Sequence, residues 1–267
     1  METREYELVR QVQNRHWWWL GREKIIETLI DRYLDTSVKF EIADVGCGFG
    51  ANISMLRQYG DVTGLELNAE AIDTVRLRWG GSVNAVNWQS PDPLLMRFNF
   101  MLLADVLEHI PDDKGAIDWI SEHLLAGGHA MITVPAHEFL WTQMDDVLYH
   151  HRRYSRRTLL KLFDDRFEVV YCSYYNMFLF PIKVGFVLFD RLKRRLFPSA
   201  IKRSYNDLPL SLINSLFKQI LMLESSVIRR ATVPFGVSLV CLVRRKPDIS
   251  PAVSDISHGS NCSPEME

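Results

Sequence analysis

The 267-residue sequence has only four cysteines, Cys47, Cys172, Cys241 and Cys262. They stand too far apart for a paired or metal-ligating motif, which excludes a disulfide-stapled scaffold and a zinc module. Charge of one sign is also lacking: the formal net charge is −2, which excludes a broadly basic nucleic-acid binder. No apolar run reaches the roughly 20 residues needed to cross a bilayer; the longest, Met177 to Phe189, contains Pro181 and Lys183. Met1 to Arg10 is charged without an apolar centre, so no signal peptide is expected and a reducing, cytoplasmic setting is. A Tyr-x-x-x-Lys pair is missing as well, which removes one common dehydrogenase chemistry.

What is present is an ordinary globular balance, 47% hydrophobic and 24% charged. Short β-rich runs alternate with helical periodicity. "KFEIADV", "DVTGLELN", "SVNAVNW", "NFMLLADVL", "HAMITVP", "FEVVYCSYY" and "GVSLVCLVRRK" read as seven strands. "ANISMLRQYG", "AEAIDTVRLRWG", "AIDWISEHLLAGG" and "RRTLLKLFDDR" read as helices between them. The alternation predicts an α/β fold, a doubly wound, Rossmann-like, seven-stranded and mostly parallel sheet. Residues 3–35 read as helical and predict an N-terminal cover over 1–36. The core is expected over 37–181 and 233–246. Between its last two strands lie two helix-like stretches, read as a helical insertion over 182–232. Residues 247–267, rich in Ser and Pro, are expected to be a disordered tail.

"DVGCGFG", Asp44 to Gly50, ends the first strand with glycines at 46, 48 and 50. Glycines at a strand-to-helix turn permit positive φ and close approach of a ligand to the main chain. Glu66, twenty residues after Gly46, ends the second strand, where a carboxylate can accept from ribose hydroxyls. A dinucleotide loop would place its third glycine one residue later. The G-x-G-x-G loop, continued by "LLADVLEHIPDD", resembles the class I S-adenosylmethionine-dependent methyltransferases over about residues 40–170. That resemblance implies S-adenosyl-L-methionine as cofactor. It puts Asp44, Gly46, Cys47, Gly48 and Gly50 at the methionine end, Glu66 and Leu67 at the ribose and adenine, and Ala104 and Val106 along the methionine side. Where the family often has an acid for the adenine, this chain offers Asn87, Trp88 and Gln89.

Transfer from a sulfonium needs an acceptor nucleophile close to the methyl carbon and a group that takes its proton. Loops after the fourth and fifth strands supply the candidates. His109, His137, His150, His151 and Arg153 are the candidate catalytic residues, with His137 preferred as the base; the paired histidines and arginines also suit an anionic group. Asp105, Glu108 and His109 share their spacing with quinone O-methyltransferases that use a metal; no metal is expected here. "PAHEFLW…HHRRYS", with the N-terminal "HWW…GR" of His16, Trp17, Trp18, Gly21 and Arg22, resembles a bacterial methyltransferase subgroup of polysaccharide and lipid-linked sugar pathways. Trp18 and Arg22 are expected at the cofactor. The resemblance implies a small-molecule or lipid-linked acceptor, methylated at oxygen, with a quinone-type small-aromatic acceptor or a non-catalytic scaffold as alternatives. Nucleic acid is not expected as a partner, since neither an Asn/Asp-Pro-Pro-aromatic motif nor a Pro-Cys nucleophile occurs. From His150 to Arg203 thirteen Lys/Arg face four Asp/Glu, and with the apolar face of "FLFPIKVGFVLFDRLKRRLF" this suggests peripheral membrane contact through 177–203.

Overall fold

The computed structural model describes residues 3–80, 83–87, 95–196 and 208–247. Seven strands, β1 (Phe40–Val45), β2 (Gly60–Glu66), β3 (Asn84–Asn87), β4 (Phe98–Ala104), β5 (Leu124–Pro135), β6 (Phe167–Tyr175) and β7 (Ser238–Arg245), form one sheet in the order β3-β2-β1-β4-β5-β7-β6. All neighbours are parallel except β7, which runs antiparallel to β5 and β6. The expected doubly wound sheet is therefore present, with its reversal at the last strand.

Alternate strand residues feed two cores. Ile42, Phe100, Leu102, Met131, Val240 and Leu242 meet one helical layer, drawn from α2 (Trp17–Tyr33), α3 (Ile53–Leu56), α4 (Ala69–Trp79) and α9 (Ser211–Ile228). Ala43, Val45, Met101, Leu103, Ile132 and Cys241 meet the other, from α5 (Asp113–His123) and α7 (Arg156–Leu160). Near-continuous apolar runs such as β4 follow from burial on both faces.

Three boundaries differ from the sequence reading. The stretch 3–35 is two helices, α1 (Thr3–Val12) and α2, because His16 takes extended backbone and its Nδ1 accepts the Trp18 amide at 3.2 Å as an N-cap. "LLAGG" continues β5 rather than ending α5: Leu124 already pairs with Phe98, and Gly127 turns at φ +80°. "ANISMLRQYG" contains a single helical turn, α3. The expected tail lies outside the described residues from 248 onward, as do 197–207 of the insertion and Trp88.

The insertion itself comprises α8 (Phe180–Leu196) and α9. α9 packs along α2, and Gly21 permits the contact: a Cβ there would lie 2.7 Å from Leu221 Cβ. Asn214 accepts from the Trp17 amide and donates to Arg15 O, both at 2.9 Å. Gly21→Val is expected to lower unfolding stability by about 1–3 kcal/mol through this overpacking, read as a shifted urea midpoint with an unchanged slope. No helix among the described residues is long and apolar enough to cross a membrane.

Candidate active site

The carboxyl edge of the sheet opens onto a cavity of about 740 Å³. Several strands turn there by the same device: the residue just after β1, Gly46, has φ +67°, and Asp105 after β4 and Asn176 after β6 have φ +58° and +62°. His137, close after β5, has φ +60°. Left-handed backbone costs a non-glycine residue roughly 1–2 kcal/mol, and such strain gathers where geometry is imposed by function.

At one end the glycine loop and Glu66 form a cradle. Glu66 Oε2 accepts from Gly48 N at 2.8 Å, while Oε1 accepts from Leu67 N and Asn68 N at 2.8 and 3.0 Å. The carboxylate thus ties the tip of β2 to the loop after β1 and keeps further acceptor capacity for hydroxyl donors. Gly46 must lack a side chain, since a Cβ would stand 2.7 Å from Val106 Cγ2; at Gly48 a Cβ would meet nothing within 4 Å, because the position faces open cavity. Gly46, Cys47, Gly48, Glu66, Leu67, Ala104, Val106, Trp18 and Arg22 all border this space. Burial pushes the Cys47 thiol up and keeps it un-ionised.

Three of the expected cofactor residues, Asp44, Gly50 and Asn87, do not border the cavity, and a fourth, Trp88, has no described position. Asp44 is fully buried behind the loop, where burial pushes its carboxyl up to about 7 and Asn52 Nδ2 donates at 3.4 Å. Gly50 faces Trp79 rather than the cavity. Asn87 ends β3 beside Glu66 in register but does not border the cavity. Trp88 lies outside the described residues.

The three tryptophans radiate from the first turn of α2, roughly 100° apart, and each finds its own neighbour. Trp17 meets Phe217 of α9 edge-on at 5.3 Å, Trp18 stacks on Tyr175 at 5.8 Å, and Trp19 meets His16 at 5.1 Å. All three border the cavity. Arg22, one turn further, donates to Asp105 Oδ2 at 2.5 Å and to Ala104 O at 3.2 Å, which fixes α2 to the end of β4.

The other end is richer in ionisable groups. His150 Nδ1 lies 2.9 Å from Asp145 Oδ1, and Arg153 grips the same carboxylate through Nε at 2.8 Å and a terminal nitrogen at 3.1 Å. Burial opposes the Asp145 charge, yet the His150 and Arg153 contacts hold its carboxyl well below the usual range. His109 meets His150 edge-to-face at 4.7 Å; burial, and then His150, push it down to about 4, so its imidazole is neutral. Burial and nearby Asp105 raise Glu108 well above an ordinary carboxylate, and its Oε2 has no hydrogen bond among the described residues. Ligand atoms of Glu108, His109 and His150 all lie within 4.8 Å of one another. Asp145→Ala would leave the Arg153 guanidinium buried without its counter-ion. We expect a loss of about 3–5 kcal/mol in urea unfolding; a change below about 1 kcal/mol would show that the pair is dispensable.

His137, the base preferred from sequence, does not border the cavity. The positive φ turns its ring onto Tyr174, stacked at 4.8 Å and 5°, away from the cavity. His151 also lies outside the lining and is exposed. His109, His150 and Arg153 are brought together as expected; Glu108 and Asp145 join them, and Lys183 from α8 and Asn176 were not singled out as site residues from sequence. A lone lysine inside the apolar run "FPIKVGFVLF" was the available signal for Lys183. The basic cluster of α8 is partly committed inside the fold: Arg191 donates to Phe139 O at 2.6 Å, and Arg194 pairs with Asp190 at 2.8 Å and Asp146 at 3.2 Å.

Comparison with known proteins places this geometry. A family model described as a methyltransferase domain matches residues 18–171. Ubiquinone biosynthesis O-methyltransferases of Pectobacterium carotovorum and Cronobacter sakazakii are 31% and 28% identical over 102 and 100 residues. Those matches cover 35% of this chain and 42% and 41% of the relatives, so less than half of their length. Among solved structures, the plantazolicin methyltransferase BpumL in complex with a monoazolic desmethylPZN analogue and SAH superposes with a TM-score of 0.56 at 12% identity, covering 91% of this chain and 90% of that one. Coclaurine N-methyltransferase bound to N-methylheliamine and SAH gives 0.51 at 15% identity, covering 84% and 70%. These likenesses establish the shared fold.

Proposed function

Because the chain belongs to the methyltransferase domain family, we propose that it transfers the methyl group of S-adenosylmethionine to a small-molecule or lipid-linked acceptor, at oxygen. The observation that carries this reading is one continuous cavity with Gly48 and Glu66 at one end and His109, His150 and Arg153 at the other. Its volume is in the range that holds a cofactor and a small acceptor together. The open space at Gly48 and the amide-held Glu66 carboxylate fit a ribose, and Gly46, Ala104 and Val106 would flank the methionine part.

When bound, S-adenosylmethionine supplies an electrophilic methyl on a sulfonium sulfur. The chain's own residues orient the acceptor and move its proton. Gly46, Ala104 and Val106 would hold the methionine part so that an acceptor oxygen oriented by the far end of the cavity could take up the methyl group from the sulfonium. His150 takes the acceptor proton at Nε2, because Asp145 holds Nδ1 and Arg153 holds Asp145. His16 to Arg22, with the three indoles, act as a cover that excludes water from the transfer.

The test is incorporation of labelled methyl groups from S-adenosylmethionine into isolated lipid, sugar-nucleotide and small-aromatic fractions. The reading expects an O-methylated product in one of them. Tight S-adenosylhomocysteine binding without turnover in any fraction would favour a scaffold instead.

A second reading, a quinone-type acceptor handled with a divalent cation, is favoured by the close grouping of Glu108, His109 and His150. It requires that dialysis against EDTA abolish turnover and that a divalent cation restore it, whereas the proton-transfer reading requires no change. Contact with a membrane interface is a further part of this reading, for which the exposed Leu188, Phe189, Leu192 and Leu196 of α8 speak. Unchanged flotation with anionic liposomes after these four become serine would count against it.

A further inference from the structure

α8 is amphipathic in the wrong sense at one position. Its inward face carries Val187 and Asp190 and continues the buried Leu179 that just precedes the helix, all nearly inaccessible to solvent, and Lys183 lies one turn from both Leu179 and Val187 on that side. The outward face meanwhile exposes Leu188, Phe189 and Leu192 at 61%, 61% and 55%. Lys183 is half-buried and presents its charge to the cavity rather than to bulk solvent, beside a run of exposed apolar residues.

Among the described residues Lys183 has no partner within hydrogen-bond or ion-pair distance; Nζ stands 5.6 Å from the Phe186 ring. The two acids that act on it electrostatically are engaged elsewhere: Asp145 by Arg153 and His150, and Asp190 by Arg194 and the Gln143 amide. Burial, and then repulsion from Arg153, push the ammonium down to about 8, so it stays largely protonated at neutral pH yet uncompensated. Lys183 borders the cavity within electrostatic reach of Arg153 and Asp145, and Met144, Leu148, Leu179, Ile182 and Phe186 supply apolar lining to the same cavity.

We propose that Lys183 binds an anionic group of the acceptor, and that the acceptor is an amphiphile joining a carboxylate or phosphate to an apolar body. This rests on the methyltransferase reading and narrows its acceptor class. The ligand supplies the counter-charge that the protein omits, and the aliphatic and aromatic walls take the apolar part. Lys183 thereby sets acceptor specificity without touching the transferred methyl.

The experiment is calorimetry on the full chain, with and without saturating S-adenosylhomocysteine, using decanol, decanoate and decyl phosphate below their micellar concentrations. Decanoate and decyl phosphate are expected to bind more tightly than decanol by about tenfold or more, and whichever is tighter identifies the anion. Lys183→Met, nearly equal in volume, is expected to erase that preference while leaving S-adenosylhomocysteine affinity within about twofold; Lys183→Arg should restore it. Lys193→Met, a basic residue of α8 that does not border the cavity, should keep the preference, which separates the site from general attraction to a basic helix. Equal binding of all three probes to the unaltered protein, or an anion preference that survives Lys183→Met, would overturn the proposal. An intact, Lys183-dependent preference with no S-adenosylhomocysteine binding would instead overturn the cofactor reading and leave the anion site standing.

Discussion

Gly48→Arg is expected to weaken S-adenosylhomocysteine binding by at least about a hundredfold, or some 3 kcal/mol, with the far-ultraviolet circular dichroism unchanged. Position 48 has φ +52° and faces open cavity, so the fold tolerates bulk there better than the ligand does. The backbone strain costs about 1–2 kcal/mol. The larger effect is occupancy, because the introduced guanidinium enters the space beside Glu66, whose Oε2 already accepts the residue-48 amide. An intrachain ion pair then holds the carboxylate that the ribose needs. Gly48→Ala supplies the control: its methyl group meets no atom within 4 Å, so it carries the strain without filling the site. Calorimetry should therefore separate the two variants, with alanine retaining most of the affinity. If both bind like the unaltered protein, the loop does not hold the cofactor.

His150→Ala is expected to lower kcat on the acceptor fraction that supports turnover by about a hundredfold to ten-thousandfold, the usual range for a removed general base. Affinity for S-adenosylhomocysteine should change by less than about twofold, since His150 stands at the opposite end of the cavity from Glu66. The expectation follows from a chain of contacts: Arg153 neutralises Asp145, Asp145 fixes the Nδ1 of His150, and the remaining nitrogen is left for the acceptor. His137→Ala, by contrast, removes a ring stacked on Tyr174 outside the cavity and should leave single-turnover rates within about threefold. Loss of activity in the His137 variant with full activity in the His150 variant would reverse the assignment.

The parts of the molecule that were legible in sequence are those whose information is local. The glycines at 46 and 48 and the carboxylate at 66 lie within one strand-turn-helix-strand unit, so spacing alone placed them around one crevice. Strands buried on both faces, such as "NFMLLADVL", declare themselves by apolar continuity. What sequence left open depends on backbone turns and distant neighbours. His137 and His150 look equally suitable as letters; a left-handed φ at 137 and an orienting carboxylate at 145 separate them. Gly50 reads as a third ligand glycine, yet its absent side chain makes room for Trp79. The basic cluster of α8 reads as uniformly outward-facing, yet Arg191 is bonded to Phe139 O and Arg194 to Asp146, partners distant in sequence, and Arg194 also to Asp190. The three tryptophans, which cannot share one helix face, find separate neighbours: Phe217 of α9 meets Trp17, Tyr175 meets Trp18 and His16 meets Trp19.

One crystal structure of the full chain with S-adenosylhomocysteine would test the central claim most directly. The account predicts ribose hydroxyls on the Glu66 carboxylate, the amino-acid end against Gly46 and Ala104, and the sulfur turned toward His109 and His150. A nucleoside bound elsewhere, or a crevice closed by the protein's own side chains with the thioether outside it, would contradict it.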